Sequence, residues 1–130
     1  MPLPVPIAAL YTSLLALLVV MLSVVVIRLR RSLRIGVGDG GNRDLQRAIR
    51  VQGNAVEYIP IFLLLLAAYE LNQGSAIWLH VLGALFFFSR ISHAWGLYGS
   101  GGASRARVIG VAGTFISLVG LSVMNLARIL

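Results

Sequence analysis

The run from Val5 to Ile27 is 23 residues long and carries no charge. As an α-helix it extends about 34 Å, enough to span a bilayer. It lacks a positive leading region, its apolar run is too long for a secretory leader, and no small-residue cleavage site follows. It therefore reads as a membrane-spanning helix. Composition agrees: 58% of the 130 residues are hydrophobic, 12% are charged, and mean hydropathy is +0.91. Such values exclude a disordered chain and argue against a water-soluble domain. The expected class is all-α integral membrane, in one domain.

The rest of the chain repeats the theme. Arg28 to Asn42 is a basic, then glycine-rich connector. Gly36, Gly38 and Gly41 fit GxGxxG, but a membrane helix precedes them where a dinucleotide site needs a strand. The connector reads as a flexible turn with Asn42 as the next helix's N-cap. A second helix is predicted from Arg43 to Leu71, with a kink at Pro60. Glu70, Asn72, Gln73, Gly74 and Ser75 read as a polar turn. A third helix is predicted from Ala76 to Tyr98. Trp78 and Trp95 lie about 25 Å apart along it, close to the hydrocarbon thickness, which suggests aromatic anchors at both interfaces. Gly99 to Ser104 is a glycine-serine turn, and a fourth helix is predicted from Arg105 to Ala127. Its stripe of Gly110, Gly113, Ser117 and Gly120 reads as a close-packing face. The sum is an antiparallel four-helix transmembrane bundle with short loops.

Charge adds orientation. All eleven basic residues are arginine and the net charge is +7. With such apolar runs, the partner implied is a bilayer rather than nucleic acid. Arg28, Arg30, Arg31, Arg34, Arg43, Arg47 and Arg50 cluster at one end, joined there by Arg90, Arg105 and Arg107. Only Arg128 lies at the other. The positive-inside rule then places both Arg-rich connectors in the cytoplasm and both termini outside.

The residues with chemical content centre on Arg47 to Pro60. Arg47, Arg50, Asn54 and Glu57 fall within an arc of about 80° on one helix face. Tyr58 lies beside them. Lipid phosphate accounts for the arginines from Arg28 to Arg34. It does not account for Glu57, which would repel it. A ligand bearing both signs of charge fits better: guanidinium forks take carboxylates and the glutamate takes an ammonium. Arg47 to Glu57 spans about 15 Å, against about 10 Å for an extended tripeptide. Glutathione carries two carboxylates, an ammonium and a thiol on that length. A nearby arginine would lower the pKa of that thiol from about 8.5. The chain has no cysteine, so a reacting thiol must come with a substrate. Two alternatives stand beside this. Glu57 could pair with Arg50 or Arg90 inside the bundle, and His93, three residues from Arg90, could be a packing residue. Neither His80 nor His93 has a companion at metal-ligand spacing, so no metal site is expected.

Arg50, Asn54, Glu57 and Pro60 reproduce the signature of the membrane-associated proteins in eicosanoid and glutathione metabolism, the MAPEG family. The resemblance covers nearly the whole chain: its length, four spans, basic first connector, and Arg90 with His93 on the third helix. Gly53 and the glycine-rich connector are similar to those of small bacterial members. The resemblance implies a homotrimer of the bacterial inner membrane, with glutathione as cosubstrate bound between subunits near the cytoplasmic face. By analogy Arg50, Asn54, Glu57 and Tyr58 would contact the tripeptide. Arg28 or Arg31, with Arg47, Arg90 and His93, would support it. The thiolate-activating arginine would be Arg107, or Arg105 beside it. Leu97 stands where some eukaryotic members carry tyrosine, with Tyr98 displaced by one, which argues against eicosanoid substrates. The function expected is a glutathione-dependent transferase or peroxidase acting on hydrophobic electrophiles or lipid hydroperoxides that arrive through the bilayer. The competing readings are a small proton-coupled transporter built around Glu57, and a non-catalytic lipid-binding protein of the same fold.

Overall fold

The computed structural model describes residues 4–99, 102 and 104–130. It contains α1 (Pro6–Leu33), α2 (Arg43–Leu71), α3 (Ala76–Gly99) and α4 (Arg105–Ile129). All four helices are long and apolar enough to cross a membrane. They alternate in direction, so α1 and α3 start at one end of the bundle, and α2 and α4 start at the Arg-rich end. Helix α3 packs most extensively on α4, and α1 on α2; α1 and α4 share no packing face among the described residues.

The helix boundaries follow local chemistry. Asn42 caps α2, its Oδ1 accepting from the N–H groups of Asp44 at 3.1 Å and Leu45 at 3.0 Å. Ser104 caps α4 by accepting from the Arg107 N–H at 3.2 Å. Helix α1 runs six residues past Ile27, through Arg28, Arg30 and Arg31, and ends at Arg34 in the left-handed region at φ 57°. Arginine is a good helix former. Charge thus marks where this helix leaves the bilayer, not where it stops. Helix α2 continues through Pro60.

The core is apolar and close-packed. Phe62 and Phe86 stack at 3.8 Å between ring centroids and are fully buried. Leu15, Leu66, Leu79 and Leu121 are sealed with them. Large apolar side chains also cover the outside, as on Leu64 (72% exposed) and Ile77 (73%). Their solvent is lipid. The stripe on α4 is a packing face, as its spacing predicts. A Cβ on Gly110 would fall 2.5 Å from the His93 backbone nitrogen, and one on Gly113 would collide with Ser89. The two helices therefore touch nearly backbone to backbone.

Two expectations are corrected here. The first connector is not a loose turn. The Arg30 guanidinium donates to the carbonyls of Ile35, Gly36 and Gly38 at 3.4, 3.3 and 2.8 Å, and the chain winds around it with Gly38, Gly40 and Gly41 at positive φ. Glu70 lies in α2, within the predicted bounds of that helix, and is not part of the polar turn that follows. Its carboxylate accepts from the N–H groups of Ile7 at 2.9 Å and Ala8 at 2.6 Å, capping the start of α1. His80, given no role above, receives Tyr11: the phenol donates to the His80 carbonyl at 3.0 Å.

Candidate functional site

At the Arg-rich end, α2, α3 and α4 enclose a cleft of about 390 Å³. The first turns of α2 contribute Arg43, Gln46, Arg47 and Arg50, and Asn54 follows one turn further in. Their spacing puts them along one face because the α-helix repeats every 3.6 residues. Helix α3 contributes His93 and Leu97, and α4 contributes Arg107. Four guanidiniums thus face one space, and none of the lining residues is acidic.

The inner wall is a hydrogen-bonded unit built around Arg90, which is 2% exposed. One terminal nitrogen donates to Asn54 Oδ1. The other donates to Thr114 Oγ1 at 3.3 Å, and His93 Nδ1 lies 3.4 Å from the guanidinium. Thr114 in turn donates to the Gly110 carbonyl at 2.8 Å. The Tyr58 ring packs under the cation, its centroid 5.8 Å from the guanidinium carbon. Arg90 Nε is buried without a partner among the described residues. A buried cation is costly unless its donors are met. Here neutral acceptors from three helices meet it, and none is a carboxylate.

The structure brings together Arg47, Arg50, Asn54, His93 and Arg107 in one cleft, with Arg90 directly behind its wall. It separates the others. Arg105 is exposed and does not line this cleft, whereas Arg107, two residues on, lines it and a second one. Arg28 faces clefts beside α1, and Arg31 is exposed. Tyr58 packs edge-on against Phe115 at 5.7 Å rather than lining the cleft. Glu57 is exposed on the flank of α2, about one helical turn beyond Asn54, and makes no ion pair with Arg50 or Arg90 among the described residues. Glu57 is therefore not buried in the protomer.

Sequence reasoning missed Arg43, Gln46, Leu97 and Thr114. Arg43 and Gln46 continue the α2 stripe one turn earlier, so that signal was present. Thr114 sits within the small-residue stripe of α4, but nothing in its own neighbourhood announces that it faces Arg90.

The second cleft that Arg107 lines is apolar and is completed by Val108, Val111 and Ala112. Arg107 therefore borders both a polar crevice and an apolar one. No three His, Cys, Asp or Glu side chains gather at metal-binding distance among the described residues.

Comparison with known proteins agrees with this architecture. The chain is 38% identical over 120 residues to the inner membrane protein YecN of Escherichia coli strain K12, covering 92% of this chain and 90% of that one. It is also 35% identical over 80 residues to the uncharacterized protein sll1147 of Synechocystis, covering 61% of this chain and 56% of that protein. The MAPEG family profile matches residues 8–127. With four spanning helices and a match over nearly its whole length, this chain is an integral membrane protein of the MAPEG family.

Proposed function

We propose that the protein is a glutathione-dependent enzyme of the bacterial inner membrane that conjugates glutathione to hydrophobic electrophiles or uses it to reduce lipid hydroperoxides. The observation that carries this reading is the position of Arg107, shared by the cationic cleft and the apolar one. The cationic cleft has the volume of a small-ligand site. Its arginines suit the two carboxylates of the tripeptide, which they can take bidentately. The thiol would then lie against Arg107, whose fixed charge favours the thiolate. In conjugation, the sulfur lone pair forms the S–C bond, the leaving group departs with its electrons, and the thiol proton passes to water. In reduction, the thiolate attacks the peroxide, releasing an alcohol and leaving a sulfenic acid. A second glutathione condenses with it to the disulfide and water. The apolar partner would enter from the bilayer along Val108 and Val111.

Glu57 supports a homotrimeric arrangement within this reading. A carboxylate exposed on a membrane-embedded flank is costly. A neighbouring subunit packed on α2 would bury it and place it within reach of a ligand ammonium. The connectors bearing Arg28 to Arg43 would face the cytoplasm.

The test is a thermal-shift titration of the detergent-solubilised protein with glutathione and S-hexyl glutathione. A ligand at a hundred times its Kd stabilises the native state by about 2.7 kcal/mol. Both compounds should raise the melting temperature, S-hexyl glutathione at the lower concentration because its chain adds apolar contacts. No shift with either, up to millimolar concentration, would remove glutathione from the reading.

A further inference from the structure

Helices α1 and α3 meet near their starts, where the Tyr11 ring covers Gly83 so closely that a Cβ there would collide with it. Toward the Arg-rich end their facing sides do not close. An apolar cleft of about 410 Å³ lies between them, walled by Leu14, Leu18 and Met21 on α1 and by Phe87, Ile91 and Trp95 on α3. It is not isolated. Two further clefts follow α1 through Val25 to Arg28, and Tyr98 lines all three. The last of them also holds Arg47 and Asp44. The track is thus apolar for most of its length and ends at two guanidiniums and one carboxylate.

Its dimensions match one leaflet. Leu14 to Val25 spans about 17 Å of helix, close to half of a hydrocarbon core about 30 Å thick. Tyr98 lines all three clefts, and its hydroxyl is buried without a partner among the described residues. The net charge of Arg28, Arg47 and Asp44 is +1, which one phosphodiester neutralises. A doubly charged head would meet Asp44 unfavourably, whereas a headgroup hydroxyl can donate to it.

We propose that this track binds one phosphatidylglycerol-type lipid of the leaflet at the Arg-rich end. One acyl chain lies between α1 and α3, the phosphate sits on Arg28 and Arg47, and the headgroup hydroxyl faces Asp44. The site goes beyond the glutathione reading: it shares Arg47 with the cationic cleft, but Arg28 and the α1–α3 walls lie outside that cleft.

Native mass spectrometry of the full-length, delipidated protein tests this, with phosphatidylglycerol, phosphatidylcholine and phosphatidylethanolamine of identical chains as probes. One phosphatidylglycerol per chain should be retained at roughly tenfold lower concentration than either other lipid. Arg28→Gln, at an exposed position, should erase that preference. Met21→Trp, which fills the apolar walls, should weaken retention of all three lipids about tenfold. Equal retention of the three lipids, or preference for phosphatidylethanolamine, overturns the proposal. So does an Arg28→Gln protein that keeps the preference. If Met21→Trp fails to fold, the Arg28→Gln comparison decides alone. The rival occupant is a second copy of the chain. Because the chain has no cysteine, Trp95→Cys gives one unique probe on the track, where Trp95 is 78% exposed. Efficient disulfide-linked dimers in native membranes would show a second copy on the track and overturn the lipid assignment. Absence of the cross-link, with the phosphatidylglycerol preference retained, supports it.

Discussion

Replacing Asn54 by leucine isolates what the signature asparagine does. Leucine keeps the branched shape of the side chain and removes the oxygen that receives Arg90. Of the acceptors around that guanidinium, Thr114 at 3.3 Å and His93 at 3.4 Å sit at the outer limit of useful distance, so Asn54 is the strongest. A hydrogen bond to a charged group contributes about 1.5–3 kcal/mol. Leaving a buried charge without compensation costs about 3–5 kcal/mol. Asn54 is half-buried and borders the cleft, so water can reach part of the vacated site and the lower range applies. The expected loss is about 1.5–3 kcal/mol of stability. Arg90→Met removes the charge while keeping most of the length. The double variant leaves neither an unmet cation nor an unmet amide, so it should be more stable than the sum of the singles predicts, by about 1.5–3 kcal/mol. Equilibrium unfolding in mixed micelles, driven by increasing denaturing detergent, measures all four proteins. Additivity within about 0.5 kcal/mol would refute the claim that Asn54 acts through Arg90.

Three other outcomes are expected. Arg107→Ala should lower turnover of a model electrophile about a hundredfold while glutathione still shifts the melting temperature, and Arg105→Ala should leave turnover near normal; equal loss in both would reassign the activating cation. Gly110→Ala should destabilise by about 1–3 kcal/mol, because the new methyl meets His93 backbone atoms at 2.5 and 2.7 Å, whereas Gly120→Ala meets Leu82 only at 3.6 Å and should be tolerated. A thermal melt in which the two variants behave alike would contradict the α3–α4 contact. Glu70→Gln keeps the side chain's length but removes its charge and one acceptor at the start of α1, so stability should fall by about 0.5–2 kcal/mol; an unchanged midpoint in the same detergent titration would show that the cap contributes nothing.

The fold was readable because its determinants are local. Long apolar runs with few charges set four helices, and the bounds of α2 coincide with expectation because Asn42 and Asn72 are residues of boundary type. The end of α1 was not readable: hydropathy falls at Arg28, but arginines outside the bilayer continue a helix without penalty. The candidate site divides the same way. Arg47, Arg50 and Asn54 were legible because they share one face of one helix. The roles of Thr114 and Arg90 depend on how α4 and α3 are registered against each other, and glycine contacts set that register. Glu57 lies on the same arc as its neighbours, but it is exposed one turn further along and does not line the cleft. Periodicity reports direction around an axis and says nothing about where a cavity ends along it.

The acid that completes the leading turn of α1 lies 63 positions downstream of Ile7. During synthesis the first span therefore leaves the ribosome before its acceptor has been made. Until the second span brings Glu70 alongside, only water can meet the first span's opening N–H groups. The first two spans are thus latched together at the end opposite the arginines, and a chain ending before Glu70 would lack the carboxylate that receives the first N–H groups of α1.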